Sequence, residues 1–133
     1  MSVPITAFYA SLLGLCYLYL SGLVISVRRR ERISLGDGGN EDLKRVSRAH
    51  ANFSEYVPLT LIMIVCLEIN GAYQWPVHLC AGLLLFGRIL HAYGLRKHEG
   101  ASWQRFTGMI FTFLAMLLSA CANLFVIHYT VTG

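Results

Sequence analysis

Charged side chains are scarce in this chain of 133 residues: Asp, Glu, Lys and Arg together supply 14% of it, whereas about 25% is usual in soluble domains. Residues 3–27 and 106–131 contain none of the four, and each run exceeds the roughly 20 apolar residues that cross a bilayer. This scarcity excludes a large soluble domain. It also excludes a soluble nucleic-acid-binding protein, because the net charge of +4 comes from arginines at the ends of apolar segments. The sequence predicts an integral membrane protein.

The residue spacings that hold metals or disulfides are also missing. The four cysteines form no CxxC pair and the five histidines form no HExxH motif. We therefore expect neither a disulfide framework nor a metal site. We interpret the cysteines as buried, small apolar side chains, and we expect no cleavable signal peptide because no positive segment precedes the first apolar run.

Two further apolar segments lie between the uncharged runs. The sequence thus predicts one domain over residues 1–133 with four transmembrane helices, at approximately 3–27, 43–69, 75–96 and 104–130. Short connections make helices that are neighbours in sequence antiparallel neighbours in space. The predicted fold class is an all-α membrane protein, an antiparallel four-helix bundle. Asn40 is the expected N-cap of the second helix, since Glu41 and Asp42 follow it in the first turn.

Lys and Arg are concentrated in two of the three loops. The third loop holds Arg96 and Lys97, the second loop and both termini hold no Lys or Arg, and the first loop holds Arg28, Arg29, Arg30, Arg32, Lys44 and Arg45. The positive-inside rule then predicts that the first and third loops are cytoplasmic and that both termini lie on the opposite side. The arginine run alone is also compatible with contacts to lipid headgroups.

Three polar residues of the second predicted span lie on one helix face. At about 100° per residue, Arg48, Asn52 and Glu55 fall within roughly 60° of arc. Ionisable side chains inside a bilayer cost several kcal/mol unless they face a partner or a cavity. We therefore expect these residues to form one polar stripe that faces a partner or a cavity.

Other ionisable residues converge on the same end of the bundle. Arg88 and His91 are three residues apart in the third span, Arg105 opens the fourth and Arg28 follows the first. All four predicted helices therefore supply polar side chains toward the predicted cytoplasmic end. Glu68, at the far end of the second span, is expected to be solvated.

Two interpretations of this convergence differ in what balances the positive charge. In the first, Glu55 neutralises Arg48 or Arg88 and Asn52 forms hydrogen bonds between helices, which holds the bundle together. In the second, arginines outnumber the single carboxylate and leave a positive pocket that requires an anionic ligand. Because Asn52 and Glu55 also suit amide and ammonium groups, a zwitterionic, peptide-like ligand fits better than phosphate.

The segment RAHANFSEYVP at residues 48–58 resembles the signature of the MAPEG superfamily, the membrane-associated proteins in eicosanoid and glutathione metabolism. VISVRR at residues 24–29 is similar to its leukotriene-forming synthases, and GRILHAYG at residues 87–94 is similar to a motif of its prostaglandin E synthases and bacterial members. The short chain most resembles the bacterial inner-membrane branch. The resemblance implies a multi-pass homotrimer that binds glutathione between subunits near the cytoplasmic face.

Carried over by position, the resemblance implies particular roles in glutathione binding. Arg28 and Arg48 would bind the carboxylates of glutathione. Asn52 and Glu55 would hold its amide and γ-glutamyl amino groups, and Tyr56 would flank it. With the polar pair of the third span included, the expected glutathione-binding residues are Arg28, Arg48, Asn52, Glu55, Tyr56, Arg88 and His91.

Arg105 resembles the catalytic arginine of the family. A guanidinium aimed at sulfur in a low-dielectric site favours the thiolate over the thiol, and arginine suits this role because it stays charged. Two positions depart from the family pattern: Ala51 stands where the prostaglandin synthases have a further arginine, and Leu95 stands where well-studied members have a glutathione-contacting tyrosine.

Three functions are compatible with these residues. The first is a glutathione-dependent transferase or peroxidase that presents the thiolate to a lipophilic electrophile arriving from the bilayer. The second is a non-enzymatic adaptor that binds lipid or glutathione on the same scaffold, which Leu95 favours. The third is a small efflux transporter, which the absence of a carboxylate from the first span disfavours.

Overall fold

The structure is a computed structural model that describes residues 1–133 and contains four α-helices. They are α1 (Pro4–Glu31), α2 (Glu41–Ile69), α3 (Gln74–Lys97) and α4 (Trp103–Thr132). Each is long and apolar enough to cross a membrane, which confirms the predicted all-α fold class. α1 continues beyond the predicted residue 27 because arginine favours helix and is stabilised near a helix C-terminus, and the helix ends where Arg32 adopts a left-handed conformation.

Side-chain caps set the beginnings of three helices. The Oδ1 atom of Asn40 accepts a hydrogen bond from the backbone N of Leu43 at 2.9 Å, which confirms the predicted cap of α2. The Oγ atom of Ser102 accepts one from the backbone N of Arg105 at 3.3 Å and caps α4. Arg105 therefore lies in the first turn of α4, at the end of the bundle that carries the α1–α2 and α3–α4 loops, here called the basic end.

The beginning of α1 is capped by a carboxylate from the other end of α2. Glu68 accepts hydrogen bonds from the backbone N of Ile5 at 2.9 Å, the backbone N of Thr6 at 2.8 Å and the hydroxyl of Thr6 at 2.6 Å. The prediction that Glu68 is simply solvated is therefore wrong. The free amides at a helix N-terminus need acceptors, and the helix dipole favours a negative charge there.

The four helices form an unequal bundle. α2 and α3 each contact every other helix, whereas α1 and α4 do not contact one another. α3 and α4 approach most closely at two glycines: a Cβ atom on Gly87 would lie 2.7 Å from the carbonyl oxygen of Gly108, and one on Gly108 would lie 2.5 Å from that of Gly87. Small residues let membrane helices pack backbone against backbone in this way.

Apolar residues fill the space between the helices and also cover the outside. Leu43, Ile64 and Leu84 are fully buried, while the outward faces are rich in Leu, Ile and Phe. The expectation that the cysteines are buried is wrong for Cys66 and Cys121, which are exposed. Lipid tails are as apolar as a leucine side chain, so an apolar residue on a membrane helix does not require burial in protein.

Candidate functional site

Two cavities lie at the basic end. The outer cavity has a volume of about 670 Å³ and is lined only by polar and charged residues: Arg30, Glu31, Asn40, Glu41, Asp42, Lys44, Arg45, Arg48, Glu99 and Arg105. The inner cavity has a volume of about 390 Å³ and is lined by Asn52, His91, Ala101, Ser102, Arg105, Phe106 and Met109. Arg105 is the one residue that lines both cavities. Arg105 therefore lies where the charged outer cavity meets the inner cavity, and its Nη1 atom donates a hydrogen bond to the carbonyl oxygen of Gly100 at 3.4 Å.

One ion pair and two hydrogen bonds join neighbouring helices at the wall of the outer cavity. Asp42 on α2 pairs with Arg30 on α1 at 2.6 Å and also with Arg45. The guanidinium of Arg45 donates further hydrogen bonds to the carbonyl oxygens of Leu95 at 3.1 Å and His98 at 3.2 Å, at the end of α3. These two arginines are thus committed to joining α1, α2 and α3, since unpaired carbonyls at a helix C-terminus need donors.

The predicted polar stripe of α2 is present and its ion pair is exposed. The Nη1 atom of Arg48 lies 3.5 Å from the Oε1 atom of Glu55, and their side chains are 62% and 50% exposed. Asn52, between them, lines the inner cavity, and its Oδ1 atom is buried without a hydrogen-bond partner. Glu55 therefore neutralises Arg48, and the amide oxygen of Asn52 remains available to a donor.

Arg88 and His91 share a face of α3 but lie at different depths. Arg88 is 1% exposed, lines neither cavity, and has no partner for its Nε and Nη2 atoms. Its Nη1 atom lies 3.8 Å from the sulfur of Met109, and its guanidinium carbon lies 5.7 Å from the ring centroid of Phe53. His91 reaches the inner cavity, and its Nδ1 atom also lacks a partner.

A buried polar group without a hydrogen bond is costly, and a buried charge without a counter-ion is more so. The interpretation in which Glu55 balances Arg88 is wrong, because Glu55 pairs with Arg48 instead. No carboxylate forms an ion pair with Arg88. Arg88 therefore has no counter-ion within the chain, whereas the outer cavity is lined by five cationic and four acidic side chains.

Four predicted site residues line neither cavity: Glu55 and Arg88, described above, and Arg28 and Tyr56. The Nη1 atom of Arg28 donates hydrogen bonds to the carbonyl oxygens of Gly36 at 2.8 Å and Ile33 at 3.4 Å, so this side chain closes the α1–α2 loop. The ring of Tyr56 packs edge-on against Phe113, with 5.3 Å between centroids. Within one chain, the structure brings Asn52, His91 and Arg105 together and places Arg48 beside them in the outer cavity.

The inner cavity also contains residues that the sequence analysis missed. Ser102 is a favourable N-cap residue directly before an apolar helix, and this signal alone would have placed it beside Arg105. Met109 follows Arg105 by four residues and therefore lies on the same helix face. The inner cavity therefore has both polar and apolar lining residues.

Comparison with known proteins gives a consistent result over nearly the whole chain. Residues 6–125 match the model of the MAPEG family. The chain is 39% identical over 120 residues to the inner membrane protein YecN of Escherichia coli K12, and the match covers 90% of each chain. The protein of the same name from Escherichia coli O6:H1 matches with the same identity and coverage.

Proposed function

This chain belongs to the MAPEG family, and from that premise we propose that it binds glutathione at the basic end and activates the thiol toward a lipophilic electrophile. It is a multi-pass inner membrane protein. In the proposal the basic end faces the cytoplasm, because the loops rich in Lys and Arg lie there. The activity is that of a transferase or a peroxidase.

The observation that carries this proposal is the position of Arg105 between the two cavities. A cysteine thiol has a pKa of about 8.5 and is mostly protonated at neutral pH. A permanently charged guanidinium in a site of low dielectric constant favours the thiolate. Glutathione that enters through the outer cavity would bring its sulfur to Arg105, near the apolar lining residues Phe106 and Met109 of the inner cavity.

The chemical step follows from the thiolate. The thiol proton leaves to water, and the sulfur forms a bond to an electrophilic carbon while the leaving group departs with the bonding electron pair. With a lipid hydroperoxide, the sulfur would attack the peroxide oxygen, which gives an alcohol and a sulfenic acid that a second glutathione reduces. Holding both reactants in one site supplies much of the acceleration.

The remaining polar groups suit the parts of a tripeptide. Arg48 can bind a carboxylate of the ligand. Glu55 can then leave its ion pair with Arg48 and bind the ligand's ammonium group instead. The unpartnered Oδ1 atom of Asn52 can accept a peptide N–H. The outer and inner cavities, of about 670 and 390 Å³, fall within the size range of small-molecule sites, about 300–1,000 Å³.

We also propose that copies of the chain assemble, as a homotrimer in the family pattern. Arg48 and Glu55 are at least half exposed on a helix that crosses the membrane, and lipid is a poor environment for an ion pair. A neighbouring subunit would cover this face. It would also explain how Arg28, which lies outside both cavities of its own chain, could reach a glutathione molecule held by another.

A second function, a non-enzymatic adaptor that binds lipid or glutathione, is favoured by Leu95. This residue is buried in the core and lines neither cavity. Leucine has no hydroxyl group, and at this position the side chain faces the core and not a ligand. The adaptor predicts glutathione binding without turnover.

The binding test is calorimetric titration of glutathione into detergent-purified protein. We expect saturable binding to the wild type, loss of binding in Arg48→Ala, and unchanged binding in Arg29→Ala, a matched control because Arg29 is exposed and lines neither cavity. Absence of binding in the wild type, or equal loss in both variants, would contradict the proposed site.

The catalytic test is conjugation of glutathione to a panel of lipophilic electrophiles and hydroperoxides. We expect Arg105→Gln to abolish turnover with little change in glutathione affinity, because the guanidinium acts on the sulfur. Full turnover in this variant would refute the catalytic role of Arg105. Binding without turnover of any electrophile by the wild type would favour the adaptor.

A further inference from the structure

α1 and α3 enclose a third, apolar cavity that shares no residue with the outer or inner cavity. This α1–α3 groove has a volume of about 430 Å³. On α1 it is lined by Leu12, Leu15, Cys16 and Tyr19, which are spaced as one helix face. Its lining on α3 extends from Leu85 to Arg96. Nothing in the proposed glutathione chemistry requires it.

The groove has a floor of small side chains and a rim of large ones. Ala92 is 7% exposed and Cys16 is half-buried, whereas Leu15, Tyr19, Ile89 and Tyr93 are exposed on either side. Leu85 and Arg96 are eleven helical steps apart, which is about 16 Å at a rise of 1.5 Å per residue. One leaflet of a hydrocarbon core about 30 Å thick is about 15 Å deep. The groove is thus as long as the acyl region of one leaflet.

Two cations lie at the end of the groove nearest the basic end. The guanidinium of Arg96 lies 6.0 Å from the ring centroid of Tyr19, and the Nζ atom of Lys97 lies 5.7 Å from that of Tyr93. Neither cation belongs to an ion pair, and no acidic residue lines the groove. The groove is therefore apolar along its length and positive at one end.

We propose that the α1–α3 groove binds one acyl chain of an anionic phospholipid from the leaflet at the basic end, with the lipid phosphate held by Arg96 and Lys97. The apolar length matches the chain, and the unpaired cations match the phosphate. A zwitterionic phospholipid would gain the same apolar contacts, but its own ammonium group would offset the attraction to the two cations. Headgroup charge is therefore the property that distinguishes this site from ordinary contact with lipid.

The test is photo-crosslinking in phosphatidylcholine vesicles that contain the full-length protein. A small amount of phosphatidylglycerol with a diazirine in its acyl chain is added to one sample, and the matching phosphatidylcholine probe to another. Mass spectrometry then locates the adducts. We expect phosphatidylglycerol adducts within residues 12–19 and 85–93, and several-fold fewer from the phosphatidylcholine probe.

Charge variants test the headgroup contact. We expect Arg96→Gln and Lys97→Gln each to lower labelling by phosphatidylglycerol about fivefold, because a cation near a membrane surface contributes that much to the binding of an anionic lipid. Arg29→Gln removes an exposed cation of the basic end that does not line the groove, and it should not change labelling. The thermal unfolding midpoint of each variant checks that it is folded.

Three results would overturn the proposal. The first is equal labelling of the groove by the two probes. The second is labelling by phosphatidylglycerol that Arg96→Gln leaves unchanged in a folded variant. The third is adducts confined to segments outside the groove, as expected if a second copy of the chain covers this face.

Discussion

Replacement of Gly108 by alanine is expected to force α3 and α4 apart. The new Cβ atom would lie 2.5 Å from the carbonyl oxygen of Gly87, 2.9 Å from the backbone N of His91 and 3.1 Å from its Cβ atom. The two closest atoms belong to the backbone of α3 and cannot move without shifting the helix. The contact also adjoins His91, so the same substitution disturbs the wall of the inner cavity.

The expected loss of stability follows from two opposing effects. Overpacking a close-packed interior costs about 1–3 kcal/mol, and backbone clashes at two atoms place this substitution near the upper value. Alanine in place of glycine inside a helix returns about 0.5–1 kcal/mol through lower backbone entropy in the unfolded chain. We therefore expect Gly108→Ala to lower the free energy of unfolding by about 2–2.5 kcal/mol.

Gly22→Ala is the matched control. Gly22 also lies within a helix, and a Cβ atom there would meet nothing within 4 Å. Gly22→Ala should therefore gain helix propensity without introducing a clash. The assay is equilibrium unfolding in mixed micelles with an increasing fraction of a denaturing detergent, followed by tryptophan fluorescence. Equal free energies of unfolding for the two variants would refute the backbone contact between α3 and α4.

Two further substitutions test the caps and the position of Arg105. Glu68→Ala should lower the free energy of unfolding by about 0.5–2 kcal/mol, the usual cost of losing an N-cap. Glu99→Ala, on the exposed third loop, should leave the free energy of unfolding unchanged in the same assay. Equal effects of the two substitutions would contradict the cap. Gly94→Ala would place a Cβ atom 2.7 Å from the Oγ atom of Ser102, 2.9 Å from the Cβ atom of Gln104 and 3.0 Å from the Cγ atom of Arg105. We therefore expect both lower stability and lower conjugation activity, and unaltered turnover would show that this contact does not position the guanidinium.

Features of the fold that depend on residues close together in the sequence could be predicted from it. The four spans follow from long apolar runs, and the cap by Asn40 follows from the residue type and the acidic residues after it. The cap by Glu68 could not be predicted, because its partner Thr6 is 62 residues away. The contact between Gly87 and Gly108 was equally out of reach, since it depends on how α3 lies against α4.

The helix face on which each site residue lies could be predicted from the sequence, but its position along the helix axis relative to the cavities could not. Periodicity placed Arg88 and His91 on one face of α3, yet only His91 reaches a cavity, because a three-residue step also moves a side chain along the helix axis. Arg28 was predicted to face the site from its position at the end of α1. Within one chain its guanidinium instead donates hydrogen bonds to loop carbonyls. These hydrogen bonds depend on the path of the loop, which the sequence does not reveal.

The contact between α2 and α3 restricts how molecules reach this protein. The two helices each contact every other helix, and Ile64 of α2 and Leu84 of α3 have no exposed surface, so packed side chains fill the space between the helices. Molecules can then approach by two kinds of diffusion. A hydrophilic ligand arrives in three dimensions from water at the basic end, whereas a lipophilic one arrives in two dimensions, sideways through the bilayer. A lipophilic ligand would then reach the helices at a concentration set by its partition into the membrane.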